Sequence, residues 1–181
     1  MDMEHTKYTE LIRSISNPHG IDPLLLEAMV IKESSGNPWA WNPEPHYRYL
    51  WNVKTKAPFR TLTPEEIKSE KPPKDFPCLA GDPDQEWWAQ QASWGLLQLM
   101  GAVARELGFR GGFIPEICDP AVNLKIGANH LRNRLQWAAG DVSTALAGYN
   151  AGTAGGATGA LQRAGEYPAK VLRIRDALTK L

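Results

Sequence analysis

Apolar residues recur at helical spacing in several separated stretches of the chain. Tyr8, Leu11, Ile12 and Ile15 form one stripe that ends at the turn Asn17-Pro18-His19-Gly20. A second helix is predicted from Pro23 to Glu33, with Asp22 as N-cap, Pro23 at the first helical position and Gly36 near its C-terminal end. Residues 37–92 differ in texture, being rich in Pro and Trp and irregular, with a short helix expected from Pro64 to about Ser69 behind the cap Thr63. Regular spacing returns at Ser93, which caps an expected helix through Leu96, Leu97, Leu99, Met100 and Val103 that closes near Gly108. Further helices are expected from Pro120 to Trp137 on Val122, Ile126, Leu131 and Leu135, from Asp141 through Tyr149, and from Tyr167 to Lys180. Gly152 to Gly159 reads as a loop, and no run alternates convincingly enough for a strand. The expected architecture is mainly α, a single domain over 1–181 with one long irregular insertion at about 39–92.

Glu33 stands out within this pattern. Leu26, Met29 and Val30 precede it on the same helical face, so its carboxylate projects from the side that packs into the core. Burial disfavours the ionised form, and the negative end of the helix dipole acts in the same direction. A carboxyl still protonated near neutral pH can act as general acid on an ether or acetal bond. The plain alternative is a carboxylate that only caps or solvates a helix end.

Composition narrows the partners. Twenty basic residues balance twenty acidic ones, so the charge points to neither nucleic acid nor an anionic membrane. The N-terminal segment from Met1 to Lys7 carries no apolar run behind its charges, and no stretch approaches membrane-spanning length. Cys78 and Cys118 lack metal-type spacing, leaving two free thiols as the expectation and one disulfide as the alternative. The scattered His5, His19, His46 and His130 do not suggest a zinc site. Six of the seven Trp residues (Trp39, Trp41, Trp51, Trp87, Trp88 and Trp94) fall between 39 and 94. They suit either packing or stacking on sugar rings.

Three separated segments carry a family resemblance. Glu33-Ser34-Ser35-Gly36-Asn37-Pro38, Gly95-Leu96-Leu97-Gln98-Leu99-Met100 and Ala147-Gly148-Tyr149-Asn150-Ala151-Gly152 resemble, in this order, the signature motifs of the soluble lytic transglycosylase family. Tyr167-Pro168-Ala169-Lys170-Val171 resembles the family's closing Tyr-containing segment, although Arg163-Ala164 replaces the Glu-Thr pair that often precedes it. Leu97 stands where the family has Met, an exchange of similar volume. The likeness covers residues 21–38 and 93–172. It leaves 39–92 unexplained, because the family's first two motifs usually lie much closer together.

The resemblance implies a lysozyme-like helical fold that cleaves the β-1,4 bond between N-acetylmuramic acid and N-acetylglucosamine. Glu33 would be the acid and base, with Tyr149 orienting its carboxyl. Ser34, Gln98, Met100, Asn150 and Tyr167 would contact substrate. No metal or cofactor is implied, the partner is the peptidoglycan glycan strand, and a monomer acting on the bacterial cell wall is expected, with a phage-encoded or virion-associated origin. Two other readings remain open. Glu44 could serve as a second carboxylate that activates water in a hydrolytic muramidase, or the chain could be a glycan-binding module without turnover. The cluster Asp82, Asp84 and Glu86 reads as surface charge.

Overall fold

A computed structural model describes residues 4–181. The first three residues of the segment read for a targeting signal, Met1 to Met3, lie outside the described residues. In chain order the elements are α1 (Thr9–His19), α2 (Pro23–Ser34), β1 (Trp41–Pro43), β2 (Trp51–Asn52), β3 (Ala57–Pro58), α3 (Pro64–Lys68) and α4 (Pro83–Gln90). There follow β4 (Ala92–Trp94), β5 (Leu99–Met100), α5 (Gly101–Glu106), a 3-10 turn (Ile114–Cys118), α6 (Pro120–Trp137), α7 (Val142–Ala151), α8 (Gly156–Ala164) and α9 (Tyr167–Leu178). The chain is mainly helical, in keeping with the lysozyme-like class. It divides into two compact units, Met1–Gly36 with Leu124–Leu181, and Asn37–Asn123.

The first unit is all helix. The Asp22 carboxylate accepts the Leu24 N–H at 2.9 Å to open α2, and Asp141 accepts the Thr144 N–H at 2.7 Å to open α7. α2 packs against α1 and α9, and α7 against α8 and α9. Leu25, Leu26, Ala28, Met29 and Val30 of α2 are buried together with Ala145, Leu146 and Ala147 of α7 and Val171 of α9. On α6 the fully buried apolar side chains are Leu124, Ala128 and Leu131, whereas Val122, Ile126 and Leu135 are half-buried. The seam of that helix is therefore displaced from the expected one.

The second unit holds a three-stranded antiparallel sheet in the order β1-β4-β5, with Trp41 opposite Trp94 and Ser93 opposite Met100. β2 and β3 form a separate two-stranded pair. Leu50, Leu62, Phe76 and Trp87 make its core, with Phe59 against it. Edge-to-face rings tie this cluster together, Phe76 lying 5.1 Å from Phe59 and 5.2 Å from Trp87.

Several expectations are corrected here. The helix expected from Ser93 to Gly108 is instead β4, a turn, β5 and the short α5. Gly95 and Gln98 take left-handed φ values of 75° and 45°, which an α-helix cannot contain. The turn is held by buried Asn123, whose Oδ1 accepts the Leu97 N–H at 2.9 Å and whose Nδ2 donates to the Trp94 and Ile117 carbonyls at 3.0 Å. A Cβ at position 95 would stand 2.3 Å from that Nδ2, so the turn requires glycine on two counts. Leu96, Leu97 and Leu99 are all buried. A run apolar on every side carries no period that separates helix from strand.

The strands themselves escape sequence patterning, because two or three residues are too few to show alternation. Within the irregular insertion, Pro83 opens α4 and does not break it, with Asp82 accepting the Gln85 N–H at 2.9 Å. Glu86 is not surface charge. It is 1 % exposed and paired with the fully buried Arg105. The glycine-rich stretch is a loop only as far as Gly155, since Gly156 begins α8. The short helix behind Thr63 appears as expected, closed by a capping box with Glu66. Cys78 and Cys118 are free thiols.

Candidate active site

Glu33 lies in the last turn of α2. The next residue but one, Ser35, takes a left-handed φ of 52° and its N–H closes on the Ile31 carbonyl at 3.1 Å, so the chain turns away directly after the carboxylate. Ser34 hydroxyl donates back to the Val30 carbonyl at 3.2 Å. Burial pushes the Glu33 pKa up. A hydrogen bond from the Tyr167 hydroxyl and the neighbouring Lys32 charge pull it down, without cancelling the rise.

The hydroxyl of Tyr167, first residue of α9, donates to Glu33 Oε1. Tyr149 lies near the C-terminal end of α7, and its ring centre is 4.7 Å from that of His130 on α6, with the planes tilted by 54°. Burial raises both phenol pKa values well above the usual, and the Glu33 charge adds to each. Both therefore stay protonated and keep an O–H to donate. His130 is pushed down to about 3 by burial and by Arg134, which leaves the ring neutral. Lys32 places its ammonium 5.8 Å from the centre of the Tyr167 ring.

A second carboxylate on α2 sharpens the contrast. Glu27 is almost fully buried, and burial alone would raise its pKa. The Thr9 hydroxyl at 2.6 Å, the Thr6 N–H at 2.7 Å and hydroxyl at 3.0 Å, and His5 at 3.0 Å surround it and hold the pKa below normal. Two glutamates on one helix are thus driven in opposite directions. Glu27 is pushed towards the ionised form by the donors around it, and Glu33 is pushed towards the protonated form by burial.

The first unit brings Glu33, Tyr149 and Tyr167 together, with Ser34 beside Glu33 in sequence and Asn150 exposed after Tyr149. Gly148 explains part of the third motif, since a Cβ there would meet the Trp137 ring at 2.8 Å. Arg163 reaches the carbonyls of Ala151 at 3.3 Å, Gly152 at 3.2 Å and Ala154 at 2.8 Å. It thereby fixes the loop after Asn150. Sequence reasoning missed that role, although Arg163 was visible as a departure from the family pattern.

Gln98, Met100 and Glu44 belong to the second unit. The Gln98 amide donates to the Ala40 carbonyl at 3.1 Å and the Gly95 carbonyl at 3.0 Å, and its oxygen accepts from Ser93 at 2.9 Å. Its side chain thus holds the β1-β4-β5 region in shape. Met100 is half-buried at the start of α5. Glu44 is exposed and accepts from Asn42 at 2.6 Å, while Arg48 binds the Pro45 and Tyr47 carbonyls. Among the described residues no cluster of His, Cys, Asp and Glu could hold a metal, and no helix is long and apolar enough to cross a membrane.

The family model for the transglycosylase SLT domain matches residues 10–170. The chain belongs to this family. We found no match to it among curated proteins or among solved structures. Membership makes the SLT domain a peptidoglycan-cleaving protein of the lytic transglycosylase type at the level of the family, acting on the cell wall. The match spans the motifs around Glu33, Gln98 and Tyr149, and it runs on through Tyr167.

Proposed function

We propose that this SLT domain is a lytic transglycosylase in which Glu33 alone serves as acid and base at the β-1,4 bond between N-acetylmuramic acid and N-acetylglucosamine. The observation that carries this reading is a carboxyl raised in pKa by burial and gripped at Oε1 by the Tyr167 hydroxyl. With Oε1 so engaged, Oε2 is the oxygen that delivers the proton. Protonation of the glycosidic oxygen lets the bond to C1 break and the N-acetylglucosamine alcohol leave. The Glu33 carboxylate then takes the proton of the muramoyl C6 hydroxyl as O6 attacks C1. The products are that alcohol and a 1,6-anhydromuramoyl end; no water is consumed and Glu33 regains its proton.

Tyr167 and Tyr149 have complementary parts. As protonated phenols near Glu33, both stabilise the carboxylate formed midway, when the proton has left Glu33. Ser34 and Asn150, of the same unit, are assigned to sugar contacts. Mass spectrometry of digested peptidoglycan tests the reaction itself. Anhydromuramoyl ends are expected, and exclusively reducing muramic acid ends would replace this reading with a muramidase.

Tyr167→Phe offers a second check. The substitution removes the hydrogen bond that lowers the Glu33 pKa, so that pKa rises further. Because the first step needs the protonated acid, the alkaline limb of the pH–rate profile should move to higher pH, while kcat falls by about tenfold as the orienting contact is lost. An unshifted profile at unchanged kcat would remove Tyr167 from the site.

A further inference from the structure

The second unit contains a cavity of about 410 Å³ walled by Trp41, Pro43, Pro45 and Trp88, with Glu44 and Gln91 as its polar residues. Trp41 and Trp88 are 58 % and 48 % exposed, unusual for so large an apolar surface. Neighbouring contacts hold one side of the cavity. Trp41 sits in β1 with its ring 6.0 Å from that of Trp94 on the paired strand, and the Trp94 indole donates to the Ala89 carbonyl at 3.0 Å. The Glu44 N–H bonds the Gln91 carbonyl at 2.8 Å, which fixes the carboxylate-bearing residue against the end of α4.

The polar inventory of this cavity decides what it suits. Gln91 is spent on the protein, its amide donating to the Trp87 carbonyl at 3.0 Å and its oxygen accepting from Arg48 at 3.4 Å. Glu44 receives one contact, from Asn42 on Oε1, and among the described residues no cation pairs with it. The result is two aromatic faces, two prolines and one available carboxylate. A sugar ring would need several donors and acceptors around such a platform. An alkyl ammonium needs only apolar walls for its methylenes, π faces and one negative charge for its head.

We propose that this cavity binds the free side-chain amine of the diamino acid in peptidoglycan stem peptides. The methylenes lie along Trp41 and Trp88, and the ammonium meets Glu44 Oε2. The site would thus read the state of the wall, because a stem whose amine is consumed in a cross-link no longer presents the cation. This inference rests on the peptidoglycan reading above and assigns the insertion a role in choosing among its strands.

An NMR titration of the full chain, following the indole N–H signals of Trp41 and Trp88, tests it with the Nα-acetylated stem tripeptide Ac-L-Ala-D-γ-Glu-L-Lys, whose only amine is the side-chain one, and its Nε-acetylated form. The free amine should bind roughly tenfold or more tightly than the acetylated peptide, and Glu44→Gln should abolish that difference. Trp88→Leu, which keeps an apolar side chain but removes the π face, should weaken binding of the free amine. Equal binding of both peptides, absence of binding, or a preference that survives Glu44→Gln would overturn the proposal. Release of muropeptides from purified walls by the wild-type chain is scored separately. Cleavage without amine-dependent binding refutes this pocket alone, and amine-dependent binding without cleavage refutes the enzymatic reading alone.

Discussion

Glu33→Gln should lower turnover on purified cell walls by on the order of 10³-fold or more, a loss of about 4 kcal/mol in transition-state stabilisation, while leaving the protein at least as stable as the wild type. The amide cannot donate a proton and reclaim it, so both halves of the reaction fail together. Its oxygen still accepts from Tyr167, so the local packing survives. The stability result follows from the sign of the shift. The folded pKa of Glu33 is raised, so its carboxyl favours folding below its unfolded pKa, and that favour is lost as pH rises towards the folded value. Above the folded pKa the wild type carries a buried charge that glutamine lacks. The Tm of Glu33→Gln relative to wild type should therefore grow with pH. Activity above a tenth of wild type would mean the acid lies elsewhere, and a lower Tm at alkaline pH would mean that Glu33 is structural.

Arg105→Met should destabilise the second unit by about 3–5 kcal/mol and lower its Tm by on the order of 10 °C. Arg105 is completely buried and grips Glu86 with two parallel bonds, Nε to Oε1 at 2.9 Å and Nη2 to Oε2 at 2.7 Å. Its Nη1 also donates to the Gly111 carbonyl at 2.8 Å and the Phe109 carbonyl at 3.2 Å. Glu86 in turn receives Gln90 at 2.9 Å, and Gln90 brackets Trp51, accepting its N–H at 2.8 Å and donating to its carbonyl at 3.0 Å. One guanidinium thus anchors α4, the loop after α5 and the β2 strand. Methionine fills much of the volume but strands the Glu86 charge in the interior, where the penalty exceeds any packing gain. The double variant Glu86→Leu with Arg105→Met should recover a large part of the loss, because it removes the orphaned charge. Chemical denaturation of the single and double variants measures both terms, and a single-variant cost under about 1 kcal/mol would show that the pair is not what holds this network.

The capped helices were readable because each carries its own local instructions. Asp22 with Leu24, Thr63 with Glu66, and Asp141 with Thr144 are contacts between near neighbours in sequence, so capping chemistry locates them without knowledge of the fold. The motifs around Glu33, Gln98 and Tyr149 were readable for another reason. Their residue types and order resemble a family's signature motifs, and the SLT family match over residues 10–170 shows the family to which they pointed.

Other features depend on partners far along the chain. Gly95 to Met100 looked helical until Asn123 supplied the side chain that stabilises a left-handed turn there, and nothing local announces that contact. Glu86 looked like surface charge beside Asp82 and Asp84, because its partner Arg105 comes only two strands later, in the next helix. By itself the sequence determined a mainly helical protein with an acid at the end of α2. Tertiary structure alone decided that Tyr167, from the last helix, is the donor on Glu33 Oε1, and that Trp41, Trp88 and Glu44 wall one cavity. The physical reason is the same throughout. Caps and helical stripes are local and leave a periodic trace, whereas burial of a charge, the choice of its hydrogen-bond partner and the walls of a pocket are set by residues that only folding brings together.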